Sequence, residues 1–179
     1  MQNAESHSGD EMRLGHTVKA FHGTTLESAM NILRIGFQKS LGVCGFGAYF
    51  DIGDSRSAVK RAIKKSGDPL LARILNVELD LGNCIDLQAP AAVADFKRWQ
   101  ANYRQQFGEA VFQNRSFAAQ KELYLSQVHP DADAAMLVDK SKNYIVGMRN
   151  IQNIRILQVR TLTSEEIEQY GRSNVYRQN

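Results

Sequence analysis

The stretch from Phe21 to Ser57 constrains this chain most, because it strings short elements between glycines. It opens with Phe21-His22-Gly23-Thr24, passes Gly36-Phe37, continues through Gly45-Phe46-Gly47-Ala48-Tyr49-Phe50, and closes with Ser55-Arg56-Ser57-Ala58. An imidazole, a phenol and a hydroxyl are thereby spaced by glycines and apolar turns, which suits a pocket wall more than a simple core. Glycines there let a ligand touch backbone. No nucleophile is paired with a base, and Gly45-Phe46-Gly47 lacks the third glycine of a dinucleotide fingerprint. Such a set can hold an aromatic amide and a ribose. It can activate a bond by positioning and polarisation, with no acid–base pair of its own.

Local signals divide the chain into short strands and helices. Thr17 to Phe21 reads as a strand, and Thr24 to Glu27 has capping-box spacing with Thr24 as N-cap. Gly36 stops the helix that follows. His22 and Gly23 are then expected in the turn between a strand and a helix N-terminus, where free N–H groups favour polar or anionic ligands. Ala48 to Asp51 reads as a brief strand, and Asp54 or Ser55 caps a helix running to about Lys65. Leu71, Leu75, Val77 and Leu79 alternate with polar residues as in a half-buried strand, and Ile85 to Leu87 reads as another. Ala91 to Phe107 and Phe117 to Val128 read as helices. Ala135 to Val138, Tyr144 to Val146 and Ile154 to Val159 are strands, and Ser164 to Tyr170 is a short acidic helix. Short strands with helices inserted early argue for an α+β fold.

At 179 residues the chain is expected to form one domain over 16–162, after a disordered lead-in over 1–15 and before a tail over 163–179. No apolar run approaches the ~20 residues of a membrane helix, so no membrane partner is expected. The net charge of +3 permits a nucleic-acid or acidic partner without demanding one. Cys44 and Cys84 are expected as free thiols, and neither they nor the histidines have metal-ligand spacing, so no metal is expected. Lys60, Arg61, Lys64 and Lys65 line one side of a helix. A solvated basic face explains them, and the sharper alternative is that they steer phosphates. Lys97, Arg98, Trp99, Tyr103 and Arg104 interleave basic and aromatic groups, which suits either nucleic acid or a core-facing Trp.

The order His22-Gly23-Thr24, then Gly45 to Phe50, then Ser55 to Ala58, resembles the NAD site of the diphtheria-toxin and poly(ADP-ribose) polymerase class of ADP-ribosyltransferases. Leu70 to Gly82 resembles the next core strand of that class. Asn143-Tyr144-Ile145-Val146 and Ile154-Arg155-Ile156-Leu157 resemble its closing strands. The resemblance implies a split β-sandwich of two antiparallel sheets around an NAD cleft, with flanking helices, and a catalytic domain over 16–162. It also implies roles. His22 would bond the adenosine-side ribose, and the backbone of Gly23, beside Thr24, would grip the nicotinamide carboxamide. Tyr49, next to Phe50, would stack on the nicotinamide ring, and Ser57 would complete the carboxamide clamp. NAD would be the co-substrate, its nicotinamide–ribose bond breaking through an oxocarbenium-like state.

Two positions depart from the pattern. A second stacking tyrosine of the family is Lys60 here, and the family's catalytic glutamate falls on Asn143. An amide can bond a ribose hydroxyl but cannot offset developing positive charge. Chain elongation to a polymer is therefore not expected, and Asp139, Glu122 or Glu109 are candidate substitute carboxylates. The resemblance implies a mono-ADP-ribosyltransferase acting on a protein or on RNA or DNA. A toxin or effector acting in the cytoplasm, carried there by a larger secreted protein and countered by an immunity or antitoxin protein, fits its small size. The alternatives are a module that binds NAD or ADP-ribose without turnover, and an NAD glycohydrolase.

Overall fold

A computed structural model describes residues 17–139 and 142–171. The lead-in expected over 1–15 and the tail beyond 171 lie outside them. The elements in order are β1 (Thr17–Thr25), α1 (Leu26–Ile35), β2 (Ser40–Gly42), β3 (Gly45–Ile52), α2 (Arg56–Ser66), β4 (Ala72–Asp80), β5 (Cys84–Asp86), α3 (Pro90–Phe107), α4 (Glu109–Gln113), α5 (Phe117–Val128), β6 (Ala134–Val138), β7 (Tyr144–Met148), β8 (Ile154–Arg160) and α6 (Ser164–Glu166). A π-helical turn over Ile167–Gly171 follows α6.

The fold is α+β, with one open eight-stranded sheet in the order β5-β6-β7-β3-β1-β4-β8 and β2 added along the start of β3. Two expectations change here. The strands join in one hydrogen-bonded path instead of two separate sheets, and β5 runs parallel to β6. The long crossover that a parallel pair needs is supplied by α3, α4 and α5, which lie between β5 and β6 in sequence. The junction between the two halves is narrow. β1 and β3 pair only at Ala20–Ile52 and Phe21–Asp51, whereas β1 pairs with β4 from Thr17 to Thr25.

A further correction concerns β1, which runs through His22 and Gly23 to Thr25. Thr25, not Thr24, caps α1 by accepting from the Ser28 N–H at 3.1 Å. His22 and Gly23 are therefore strand residues opposite Leu75 and Ile74, and the helix-terminus argument does not reach them.

Three apolar clusters cover the sheet. On one face Ala20, Phe37, Phe50, Leu75, Val77, Leu79, Val146 and Met148 pack together with Ala29 of α1. On the other face α2 presses Ala58, Val59, Ala62 and Ile63 onto Ala72 and Ile74. On that same face α5 places Tyr124 and Leu125 against Cys44, Ala135 and Ile145, with Phe96 and Trp99 of α3 alongside. Complete burial of Val59 and Ile63 contributes on the order of 1.5–3 kcal/mol each. The inward Ala58 and Ala62 let α2 lie unusually close to β1. Cys44 is buried and Cys84 half-buried, and both are free. Among the described residues, no helix is long and apolar enough to cross a membrane.

Candidate functional site

The site lies where β1 and β3 part. Continued by two residues, their register would bring Gly23 opposite Tyr49, but the pairing stops at Phe21 and Asp51. The His22 ring bridges the strands there instead, its Nδ1–H donating to the Tyr49 carbonyl at 2.8 Å. A carbonyl only accepts, so the proton sits on Nδ1 and Nε2 carries a lone pair. Phe37 and Phe50 back the ring at centroid distances of 5.4 and 5.6 Å. Burial, aided by the Lys65 and Arg61 charges and opposed by the Tyr49 bond, lowers the His22 pKa from 6.5 to about 4. At neutral pH His22 is an uncharged hydrogen-bond acceptor.

Gly23 is placed by the close approach of α2. A Cβ on it would lie 1.8 Å from the Ala58 carbonyl oxygen. Its own carbonyl accepts from Lys65 Nζ at 3.3 Å, so an ammonium caps the edge of β1 where β3 has drawn away.

Tyr49 points to the α5 side of the sheet. Its hydroxyl donates to the Gly45 carbonyl and accepts from the Cys44 N–H at 3.1 Å. The ring lies over Gly42, where a Cβ would sit 2.5 Å from it. These contacts lock an aromatic face that remains half-exposed. Burial pushes the phenol pKa upward, so it stays protonated.

Ser57, in the first turn of α2, meets Asn143 at the entry to β7: Asn143 Nδ2 donates to Ser57 Oγ at 2.8 Å. The Asn143 N–H donates to Asp139 Oδ1 at 3.0 Å. The residue at the glutamate position of the resemblance thus touches the residue at its serine position, across 86 residues of sequence.

Other expected members fall outside this group. Phe50 is 1% exposed and supports the His22 ring from behind. Thr24 is 3% exposed and pairs with Arg73 within the sheet. Lys60 extends over the Tyr170 ring, 5.3 Å from its centroid. Among the proposed substitute carboxylates, Asp139 adjoins Asn143. Glu122 bonds Arg149 at 2.7 Å and the Phe46 N–H at 2.6 Å, at the opposite end of β3. Glu109 is exposed and occupied by Gln113 and Arg104. On α3, Trp99 stacks on Phe96 and donates to Gln127, and Tyr103 is buried, so its aromatic side packs inward.

Sequence reasoning missed Asp51. This carboxylate is 1% exposed, two residues past Tyr49 on the same face of β3, and pairs with Arg61 of α2. Burial raises its pKa, with Arg61 opposing. A carboxylate at the end of a strand reads as surface, and only its helix partner reveals otherwise. Two surface cavities, of about 430 and 550 Å³, are lined by other residues: Lys39, Glu122 and Arg149 in the first, Phe21, Asn76 and Gln158 in the second. No group of three potential metal ligands occurs among the described residues.

No protein-family model matches the chain, and no curated protein matches it. Solved structures similar at low identity include the following two. The Mycobacterium tuberculosis MbcT–MbcA toxin–antitoxin complex aligns at 12% identity over 88% of this chain and 91% of that one, with a TM-score of 0.48. An anti-CRISPR protein aligns at 10% identity over 79% of this chain and 96% of that one, with a TM-score of 0.41. Likenesses at this level assign neither a fold family nor an activity to this chain.

Proposed function

We propose that the chain is a mono-ADP-ribosyltransferase that takes NAD into the gap between β1 and β3. The observation that carries this reading is the meeting of Asn143 with Ser57 beside the opened β1–β3 edge. Two residues far apart in sequence and singled out by one motif order are hydrogen-bonded to each other, and the neutral His22 imidazole bridges the parted strands to the Tyr49 carbonyl. His22 Nε2 would accept from a ribose hydroxyl, and Tyr49 would stack on the nicotinamide ring. Ser57 and the Gly23 backbone would hold the carboxamide, with Ser57 exchanging its bond to Asn143 for a bond to the ligand. These groups fix the ring while the C1′–N bond stretches. Nicotinamide leaves with the bonding electron pair, and the ribosyl cation is captured by an acceptor nucleophile that then releases a proton.

A second reading has its own support. Asn143 is uncharged, and the nearby buried carboxylate, Asp51, is matched by Arg61. A site whose buried carboxylate is already matched stabilises a developing cation weakly, which favours a module that binds NAD or ADP-ribose without turnover. NAD labelled on its adenosine half, incubated with and without cell extract, separates the readings. Nicotinamide release with extract-dependent transfer of label supports the transferase. Release without transfer indicates a glycohydrolase, and binding without release indicates the module. No binding of NAD removes all three.

A further inference from the structure

Ser57, Arg61 and Lys65 stand at intervals of four along α2 and so share one helix face. Each reaches a different part of the sheet. Ser57 meets Asn143 before β7, Arg61 meets Asp51 on β3, and Lys65 meets the Gly23 carbonyl on β1. The face thus spans the gap opened between β1 and β3. Lys60 lies elsewhere, over Tyr170, so the basic helix is not a uniform solvated surface.

Two cations are held side by side in this row. Their charges both reach His22, and the Arg61 charge adds to desolvation in lowering the pKa of Lys65. Asp51 offsets one of them. Asp54 is committed to Arg56 at 2.7 Å, and Asp139 accepts from the Asn143 N–H. Lys65 has no carboxylate partner among the described residues. The Arg61 side chain is 43% exposed although its partner is buried, so Arg61 comes to Asp51 from the surface. A guanidinium and an ammonium fixed beside a neutral hydrogen-bond acceptor form an incomplete electrostatic set. A diphosphate completes it, because a phosphate oxygen pair matches the guanidinium fork and a second phosphate meets the ammonium.

We propose that Arg61 and Lys65, positioned by Asp51 and the Gly23 carbonyl, form the anion site that receives the diphosphate of an ADP-ribosyl ligand. This rests on the nucleotide reading given above and adds to it which side chains select for the diphosphate.

Isothermal titration tests the site with three probes: ADP-ribose, inorganic pyrophosphate and nicotinamide. Arg61→Gln alone would leave Asp51 buried and unmatched, so the informative variants are Lys65→Gln and the double variant Asp51→Asn, Arg61→Gln. Circular dichroism checks that each is folded. ADP-ribose and pyrophosphate are expected to bind at least tenfold more weakly to both variants, and less salt-dependently. Nicotinamide, which carries no anion, is expected to bind within twofold of the wild type. If the wild type binds ADP-ribose and both variants match it, the anion site is overturned and the nucleotide reading stands. If the wild type binds pyrophosphate through these residues but neither ADP-ribose nor NAD, the anion site stands for a simple phosphate and the nucleotide reading falls. Binding of no probe overturns both.

Discussion

Gly23→Ala should destabilise the fold far more than a methyl group normally does. The added Cβ would stand 1.8 Å from the Ala58 carbonyl oxygen, 2.6 Å from its carbon and 3.0 Å from its Cα. All three are backbone atoms, so no side chain can rotate away. Restoring an ordinary contact requires α2 to back away from β1 by roughly 1.5 Å, and a gap of even 0.5–1 Å forfeits a quarter to a half of each dispersion well. The interface that opens is the one formed by the fully buried Ala58, Val59 and Ala62 with Ala72 and Ile74. The cost is then about 3 kcal/mol or more, at or beyond the upper end for overpacking, and corresponds to a fall in Tm of roughly 10 °C for a chain of this size. Urea denaturation followed by circular dichroism measures it. Gly67→Ala is the comparison: nothing lies within 4 Å of that glycine, and only its left-handed φ of 69° opposes a side chain, at about 1 kcal/mol. Equal midpoints for the two variants, or a Gly23→Ala midpoint matching the wild type, would refute the claim that α2 is pressed onto β1 at this point.

Three further outcomes are expected. The His22 pKa of about 4 lies below its unfolded value of 6.5, so the unfolded chain takes up the proton first as pH falls. The His22 contribution is complete above pH 6.5 and is lost between there and about pH 4, by on the order of 3 kcal/mol. A His22→Gln variant measured by denaturation across that range should lose most of this slope, and an NMR titration should show no His22 transition above pH 5.5. Tyr49→Phe removes the bonds to Gly45 and Cys44 and should cost about 1–3 kcal/mol by urea unfolding while keeping an aromatic face. Asn143→Asp keeps a partner for Ser57, whose hydroxyl can then donate, and brings a carboxylate to the site. Nicotinamide release from NAD, measured by chromatography, should rise at least several-fold, whereas Asn143→Ala should not exceed the wild type.

Much of the architecture was legible locally, and the departures have identifiable causes. The helix over Arg56–Ser66 carries an apolar face of Ala58, Val59, Ala62 and Ile63 closed by a glycine, so propensity and pattern agree. Phe117–Val128 is closed off by the break at Pro130, whereas its start is fixed by the Ser116 hydroxyl, which accepts from the Ala119 N–H. The end of β1 was misread because Thr24 and Thr25 each suit both a strand and a cap. Pairing with Ala72 and Arg73 of β4, a tertiary effect, decides in favour of the strand. The parallel β5–β6 pair has no local signature. At the site, His22, Tyr49, Ser57 and Asn143 stood out by motif order, but the direction each side chain faces did not. Tyr49 and Phe50 are adjacent on one strand and therefore point to opposite faces. One borders the opened edge and the other belongs to the core. Asp51 stayed hidden because its burial depends on Arg61 arriving from α2.

The most direct test of the account is the position of the nicotinamide ring in a crystal structure with a non-hydrolysable NAD analogue. The ring is expected against Tyr49, its carboxamide bonded to Ser57 and the Gly23 backbone, with the Asn143–Ser57 bond of the present structure exchanged for ligand contacts. A ring seated instead in the cavity lined by Lys39, Phe46 and Arg149, with Asn143 still bonded to Ser57, would contradict it.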